Sequence, residues 1–487
     1  MVESPNNAAN SRSHLRSLEA NSGAVFMRKL ALKVDPVNAP KLSLFAWNLG
    51  LRGDFASMPR CITDTLTKSE LLSLASVYFA KVHVIYAVVE RSSFLQAVDS
   101  RWSCSGQQGT HSYDPVLCGV AALGYFFSRS KPEAKELEVA KCARLLLDES
   151  TSVVPSVPTV IGWMLRVIYL RVTSTPHAAW MASCTTMHMI EAAALHSEPT
   201  PDSILHRPAD TCDPEYRRRI FGVAQHLNIW ISFDLGRSRV ALRGTSSLPP
   251  TRSPDHVTAE LLDFLPLSET LDPDNNPDSS DLEEVLANVL ASSPSHPASR
   301  LTQCNLMLCV YRRLRALHHN ISGQLLDEVL ACCTRGIRSS KEFLENAAPW
   351  HHVAYVPFQI ICILLAIDTR AALNQLEFAM ETLAAVAAAY ATDSMKEAYK
   401  TARLLVLLHQ KRKEEDARML GGVLKFPQAA QPTQDGHGSS SQLPIGDGAA
   451  DLSWLDDLAL DMSGLEDFDW NQFLTDDASW SMTMPEI

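Results

Sequence analysis

A chain of 487 residues that is 46% hydrophobic and only 20% charged can bury a large core. Its net charge of -12 is unevenly placed: residues 426 to 487 hold twelve Asp or Glu and no Lys or Arg, leaving 43 basic against 43 acidic side chains elsewhere. So balanced a body argues against a broad nucleic-acid-binding face, which needs concentrated Lys and Arg to neutralise phosphates.

The stretch from Met1 to Arg16 is rich in Ser, Asn, Arg and Ala and lacks the basic-then-apolar order of a secretory leader, so a non-secreted chain with reduced cysteines is expected. Eleven cysteines are scattered without any Cys-x-x-Cys pair, which reads as buried free thiols rather than a zinc site or disulfide framework. The longest apolar stretch, Val353 to Ile367, contains Pro357 and is shorter than the roughly twenty residues a membrane span needs. It reads as a buried core helix, and no membrane partner is expected.

In chain order, residues 1 to 65 read as a linker-like, disordered N-terminal segment containing one short apolar run, Ala24 to Leu32, able to dock on the body. Residues 66 to 412 read as an all-α, irregular multi-helix regulatory domain of roughly ten or more helices. Thr67 to Glu70 forms a capping box before Leu71, and Asp114-Pro115 and Asp213-Pro214 each set a capping Asp before Pro at the first helical position. Further helical patterns cover Glu133 to Leu147, Pro158 to Val172, His177 to His196, Asp281 to Leu290, Ala298 to His319, Leu325 to Glu345, Pro357 to Leu376, Met380 to Ala391 and Ser394 to Arg412. Residues 266 to 280, rich in Pro, Asp and Asn, read as a solvated loop between a front and a rear bundle. Residues 413 to 450 read as a linker, Gln-, Gly-, Ser- and Pro-rich from Phe426, and residues 451 to 487 as an acidic, aromatic segment.

Three segments of the body carry a more specific signal. The first holds Tyr78, Phe79, His83, Tyr86, Val88, Val89 and Phe94; the second runs from Ala179-Trp180 to Ala194-Leu195-His196. In the third are Glu215, Arg217, Arg218, Arg219, Phe221, Ser232, Gly236 and Arg237. By order and spacing, together with the Asp114-Pro115-Val-Leu helix start, they resemble the middle homology region of fungal zinc-cluster transcription factors over roughly residues 70 to 410. In that family the first segment has prolines where Val84 and Ala87 stand here. The second has Gly, Ala and Arg at Cys184, Thr186 and His188 and closes on Leu-Gly-Leu-His. In the third, Asp and Pro replace Asn228 and Ser238.

The residues themselves point to structure. Trp180, Met187, Ile190 and Ala194 recur at helical spacing, as do Ile220, Val223, Leu227 and Ile231, so each segment is a one-faced helix and Trp180 is expected in the core. Three consecutive arginines on a helix point in three directions, which makes Arg217 to Arg219 a poor import patch; at least one should pair a carboxylate or cap a neighbouring helix. The cluster Lys411-Arg412-Lys413, at an expected helix end, is the better import candidate, although cations there also complement the helix dipole.

The resemblance implies a nuclear transcription regulator, in such fungi often of one nutrient or secondary-metabolite pathway, whose helical body is open to an effector or an inhibitory contact. A binuclear zinc cluster needs six cysteines within about forty residues, and residues 1 to 60 contain none. Two routes to DNA stay open: a DNA-binding partner or homodimer, or a cluster lying ahead of this sequence.

In the acidic segment, Trp454, Leu455 and Leu458, and then Phe468, Trp470, Phe473 and Leu474, form short apolar stripes among aspartates. Such stripes fold into a coactivator's groove while the acids keep the aromatics solvated, so transcription coactivator machinery is the expected partner. No Gly-x-Ser-x-Gly, His-Glu-x-x-His, phosphate-loop or dinucleotide fingerprint occurs, and the pairs His318-His319 and His351-His352 diverge on a helix. Neither catalysis nor a cofactor is expected. The rival classes are a coregulator that pairs with a zinc-cluster protein and a small-molecule-binding helical protein.

Overall fold

The computed structural model describes residues 23–35, 49, 51, 62–103, 111–128, 132–198, 212–272, 275 and 277–424. Every regular element among them is helical. The first half contains α1 (Gly23–Val34), α2 (Ile62–Thr65), α3 (Lys68–Lys81), α4 (Arg91–Ser103), α5 (Asp114–Ser128), α6 (Ala134–Ser150), α7 (Val157–Thr173), α8 (Pro176–Ala192) and α9 (Pro214–Leu235). It continues with α10 (Thr258–Leu262), α11 (Leu265–Ser268), α12 (Ser279–Ala291), α13 (Pro297–Ala316), α14 (Gly323–Glu345), α15 (His352–Ile367), α16 (Arg370–Tyr390) and α17 (Asp393–Leu424).

Helix starts follow local chemistry. Thr67 Oγ1 accepts from the Glu70 N–H at 3.2 Å while Glu70 accepts from the Thr67 N–H at 2.8 Å, closing the expected capping box of α3. Asp213 caps α9 by accepting from the Tyr216 N–H at 2.9 Å. Asp114 opens α5 differently. Its carboxylate does not cap; it turns back to the buried Arg101 guanidinium at 3.0 Å and the His111 N–H at 3.0 Å.

Packing then joins the helices into one continuous apolar core that runs from Met27 to Leu405. The helix Val353 to Ile367 lies inside it, with Pro357 accommodated and side chains up to Leu365 buried. Helices α3 and α5 touch at Gly124, where a Cβ would meet the Leu74 carbonyl oxygen at 2.5 Å. The expected division into front and rear bundles gives way to this shared core. Residues 266–271 of the expected solvated loop lie in short helical turns that bury Ser268 and Leu271 completely.

Other boundaries also differ from the sequence reading. The run expected as one helix from Pro357 to Leu376 breaks at Asp368, which adopts a left-handed φ of 55° after α15; Thr369 then caps α16 through the Ala372 N–H. Met380 to Ala391 is no separate helix, since it continues α16. The second family segment leaves α8 at Ala192, before His196. Helix α17 runs on to Leu424, through the start of the expected linker, so Lys411-Arg412-Lys413 is internal to a helix and no dipole end acts on it. The N-terminal run Ala24 to Leu32 forms α1 and docks, burying Met27 and Ala31. No described helix is long and apolar enough to cross a membrane.

Candidate functional site

The three motif segments meet on α9, because arginine and tyrosine side chains at its start satisfy backbone carbonyls that the other two segments leave open. Tyr216 Oη donates to the Val88 carbonyl at 2.7 Å, and Arg219 Nε donates to the Ala87 carbonyl at 3.0 Å. Both acceptors lie in the non-helical stretch between α3 and α4, where no ladder could supply a partner. Arg217, 1% exposed, donates to the carbonyl of Ala194 in the turn that ends α8. Arg218 is held between Glu198, at 2.8 and 3.1 Å, and Glu215, at 2.9 Å. All three arginines are therefore engaged within the domain.

Departures from the family pattern have visible physical consequences. Where the family has Pro, Ala87 carries an N–H, and Thr258 Oγ1 accepts from it at 3.0 Å while donating to the Ile85 carbonyl at 3.0 Å. The family's Leu-Gly-Leu-His sets Gly at position 194, and Ala194 holds a left-handed φ of 57° there. That conformation lets the Leu195 N–H reach back to the Ile190 carbonyl at 3.0 Å and close the helix end. Asn228, in place of Asp, donates to Ser183 Oγ at 3.1 Å and accepts from the Val240 N–H at 2.8 Å, a pairing in which one amide serves both as donor and as acceptor.

At the far end of α9, Gly236 supplies the left-handed cap at φ 63°. Arg237 then stacks on the Trp180 ring at 4.8 Å, and Trp180 Nε1 donates to the Ser238 carbonyl at 3.2 Å. Trp180 is accordingly half-buried beneath a guanidinium, whereas its helical spacing suggests full burial. Phe94 is fully buried against Phe79. His83 packs edge-on to Phe79, and burial, with His256 beside it, pushes its pKa down to about 4. The His196 carbonyl accepts from the N–H groups of Ser246 and Ser247 and ties α8's exit to the loop after α9.

Beneath this junction lies a polar interior that sequence reasoning missed. Arg171 of α7 pairs with Asp234 of α9 at 2.6 Å, and Asn305 of α13 donates to the same carboxylate at 3.4 Å. Trp230 Nε1 donates to His226 Nδ1 at 2.7 Å, and burial pushes the His226 pKa down to about 3. The one signal in the sequence is an Asp inside the apolar run Ile229 to Leu235, which demands a buried partner without saying which. The stripe residues Trp454, Leu455, Leu458, Phe468, Trp470, Phe473 and Leu474 lie outside the described residues.

Comparison with known proteins supplies the family. The profile of the fungal specific transcription factor domain matches residues 75–328, from within α3 to within α14. The chain belongs to this family. It is 46% identical over 419 residues to Protein RDR1 of Gibberella zeae, covering 85% of this chain and 76% of that protein. Over 443 residues it is 39% identical to Transcription factor kojR of Aspergillus oryzae, with 90% of this chain and 78% of that one covered. Protein RDR1 of Saccharomyces cerevisiae is 34% identical over 408 residues, 82% of this chain and 74% of its own. Transcription regulation is the function these likenesses support, and a family of transcription factors fits a protein that is not an enzyme. The α9 junction lies wholly within the matched stretch, so in this family member the segments that carry the resemblance are also the ones that satisfy one another's backbone groups.

Proposed function

We propose that this family member is a nuclear, pathway-specific activator, possessing a helical regulatory body and an acidic C-terminal activation region, residues 451 to 487, that recruits coactivators. The observation that carries the reading is the placement of large apolar residues at helical spacing, Trp454, Leu455 and Leu458 and then Trp470, Phe473 and Leu474, in a stretch that bears acids and no Lys or Arg. Acidic residues steer encounter with basic coactivator surfaces, and the apolar stripe supplies the groove contact. In relatives named as transcription factors the same body is paired with gene control, which supports the regulatory half of the reading.

The test is a reporter assay with residues 426 to 487 fused to an unrelated DNA-binding domain, beside the same fusion carrying Ala at Trp454, Leu455, Trp470 and Phe473. Activation lost in the substituted fusion is the expected result. Full activation from the substituted fusion, or silence from both, overturns it.

A further inference from the structure

A cavity of about 440 Å³ lies between α1, the C-terminal ends of α13 and α15, and the middle of α17. Sites for small ligands span roughly 300–1,000 Å³, so the space suits a compact organic molecule. Its two walls differ in chemistry. Phe26, Leu30 and Val34 of α1, with Leu365 of α15, give an apolar side. The polar side is cationic: Lys29, Lys33, Arg312, Arg315 and Arg412 against a single carboxylate, Asp368. That carboxylate is already engaged by His409 Nε2 at 2.9 Å and Lys413 Nζ at 2.6 Å, so it does not offset the lining.

Basic composition does not explain this concentration, because residues 1 to 425 carry equal numbers of cationic and anionic side chains. Arg312, at 1% exposure, forms the floor and is held from within by the Gln359 side-chain oxygen at 3.3 Å and Cys309 Sγ at 3.0 Å, so the guanidinium groups that face a ligand are those of Arg315 and Arg412. Arg315 is oriented by two neutral acceptors, Asn320 Oδ1 at 3.2 Å and the Ala366 carbonyl at 3.3 Å. Guanidinium groups fixed in this way and partly withdrawn from water are strong receptors for carboxylate or phosphate, which they bind with charge-assisted hydrogen bonds.

We propose that this cavity binds a small organic anion, with an apolar body against α1 and a carboxylate or phosphate group on the arginines of α13 and α17. The site goes beyond the activator reading, since it needs neither the acidic segment nor DNA. Bound there, a ligand touches the first described helix and the last one together. Ligand binding to a folded state stabilises whatever that state holds in place, here the docking of α1 on α15 and α17.

The probe is anilinonaphthalene sulfonate, an aromatic anion, titrated by fluorescence into the full chain, with octanoate and inorganic phosphate as competitors. Expected is saturable binding at one site, at least tenfold weaker in Lys33→Glu/Arg412→Glu, whose side chains are exposed and can be reversed without touching the core. The control Arg144→Glu, a remote exposed cation, should bind as the unaltered chain does. Competition by octanoate assigns the carboxylate class, and competition by phosphate alone assigns the phosphate class. Non-saturable binding, or equal affinity in the double variant, overturns the proposal. So does binding that emerges only when the acids of residues 426 to 487 are changed to amides, because the cavity is then the seat of the chain's own acidic segment.

Discussion

Arg171 on α7 and Asp234 on α9 form an ion pair at 2.6 Å in which neither side chain is more than 4% exposed. Charges so placed are tolerated only in company, and removing one leaves the other unpaired in the interior. Asp234→Ala is therefore expected to destabilise the chain by about 3–5 kcal/mol, whereas Arg171→Met with Asp234→Leu recovers much of that loss. Urea unfolding of the three proteins checks this, and a double variant no more stable than Asp234→Ala refutes it.

Ala194 sits in a left-handed conformation that glycine adopts freely and alanine does not. Ala194→Gly should raise stability by about 0.5–1 kcal/mol, the reverse of the usual effect of placing glycine near a helix. A fall in thermal midpoint on this substitution contradicts the strain assigned to the position.

The three consecutive arginines are expected to behave unequally. Arg217 is buried and serves the Ala194 carbonyl, so Arg217→Ala should cost more than about 2 kcal/mol. Arg218 bridges two partly exposed glutamates, where water screens the charges and leaves the pairs little net worth, so Arg218→Ala should cost much less than Arg217→Ala. Equal losses for the two variants in denaturant titrations speak against this assignment of roles.

How much of this was legible beforehand differs by element. The capping box at Thr67 and the Asp213-Pro214 start were readable because their signals are local, and the structure realises both. Asp114 misled because its carboxylate has a stronger tertiary partner, Arg101, than the helix start offers. At the break at Asp368 the local signal is the capping Thr369, which the unbroken apolar periodicity on either side masks; His409 and Lys413, distant in sequence, hold the aspartate itself. The motif junction was legible as a set of spaced residues, but which carbonyl each arginine reaches depends on tertiary placement. Thr258 carries no sequence signal for its bond to Ala87.

Acid sensitivity follows from His226. Burial lowers its pKa to about 3, against an ordinary value of 6.5, so between these limits the unfolded chain takes up a proton that the folded chain refuses. The stability associated with this histidine is complete above pH 6.5 and is lost as pH falls toward 3. At pH 5, His226→Asn should reduce the protons bound on unfolding by about one, as read from the pH dependence of the unfolding free energy. An unchanged slope argues against a neutral buried imidazole.

The outer part of α17 has one more consequence. From His409 to Leu424 the helix rises roughly 22 Å, and the side chains of residues 410 to 420 are exposed. Two positions of that stretch are tied to the body: Lys413 holds Asp368 at the break between α15 and α16, and Arg412 lines the cavity beside α1. Substitutions at its other exposed positions displace no buried side chain, so they alter the surface the helix presents and leave the core as it is.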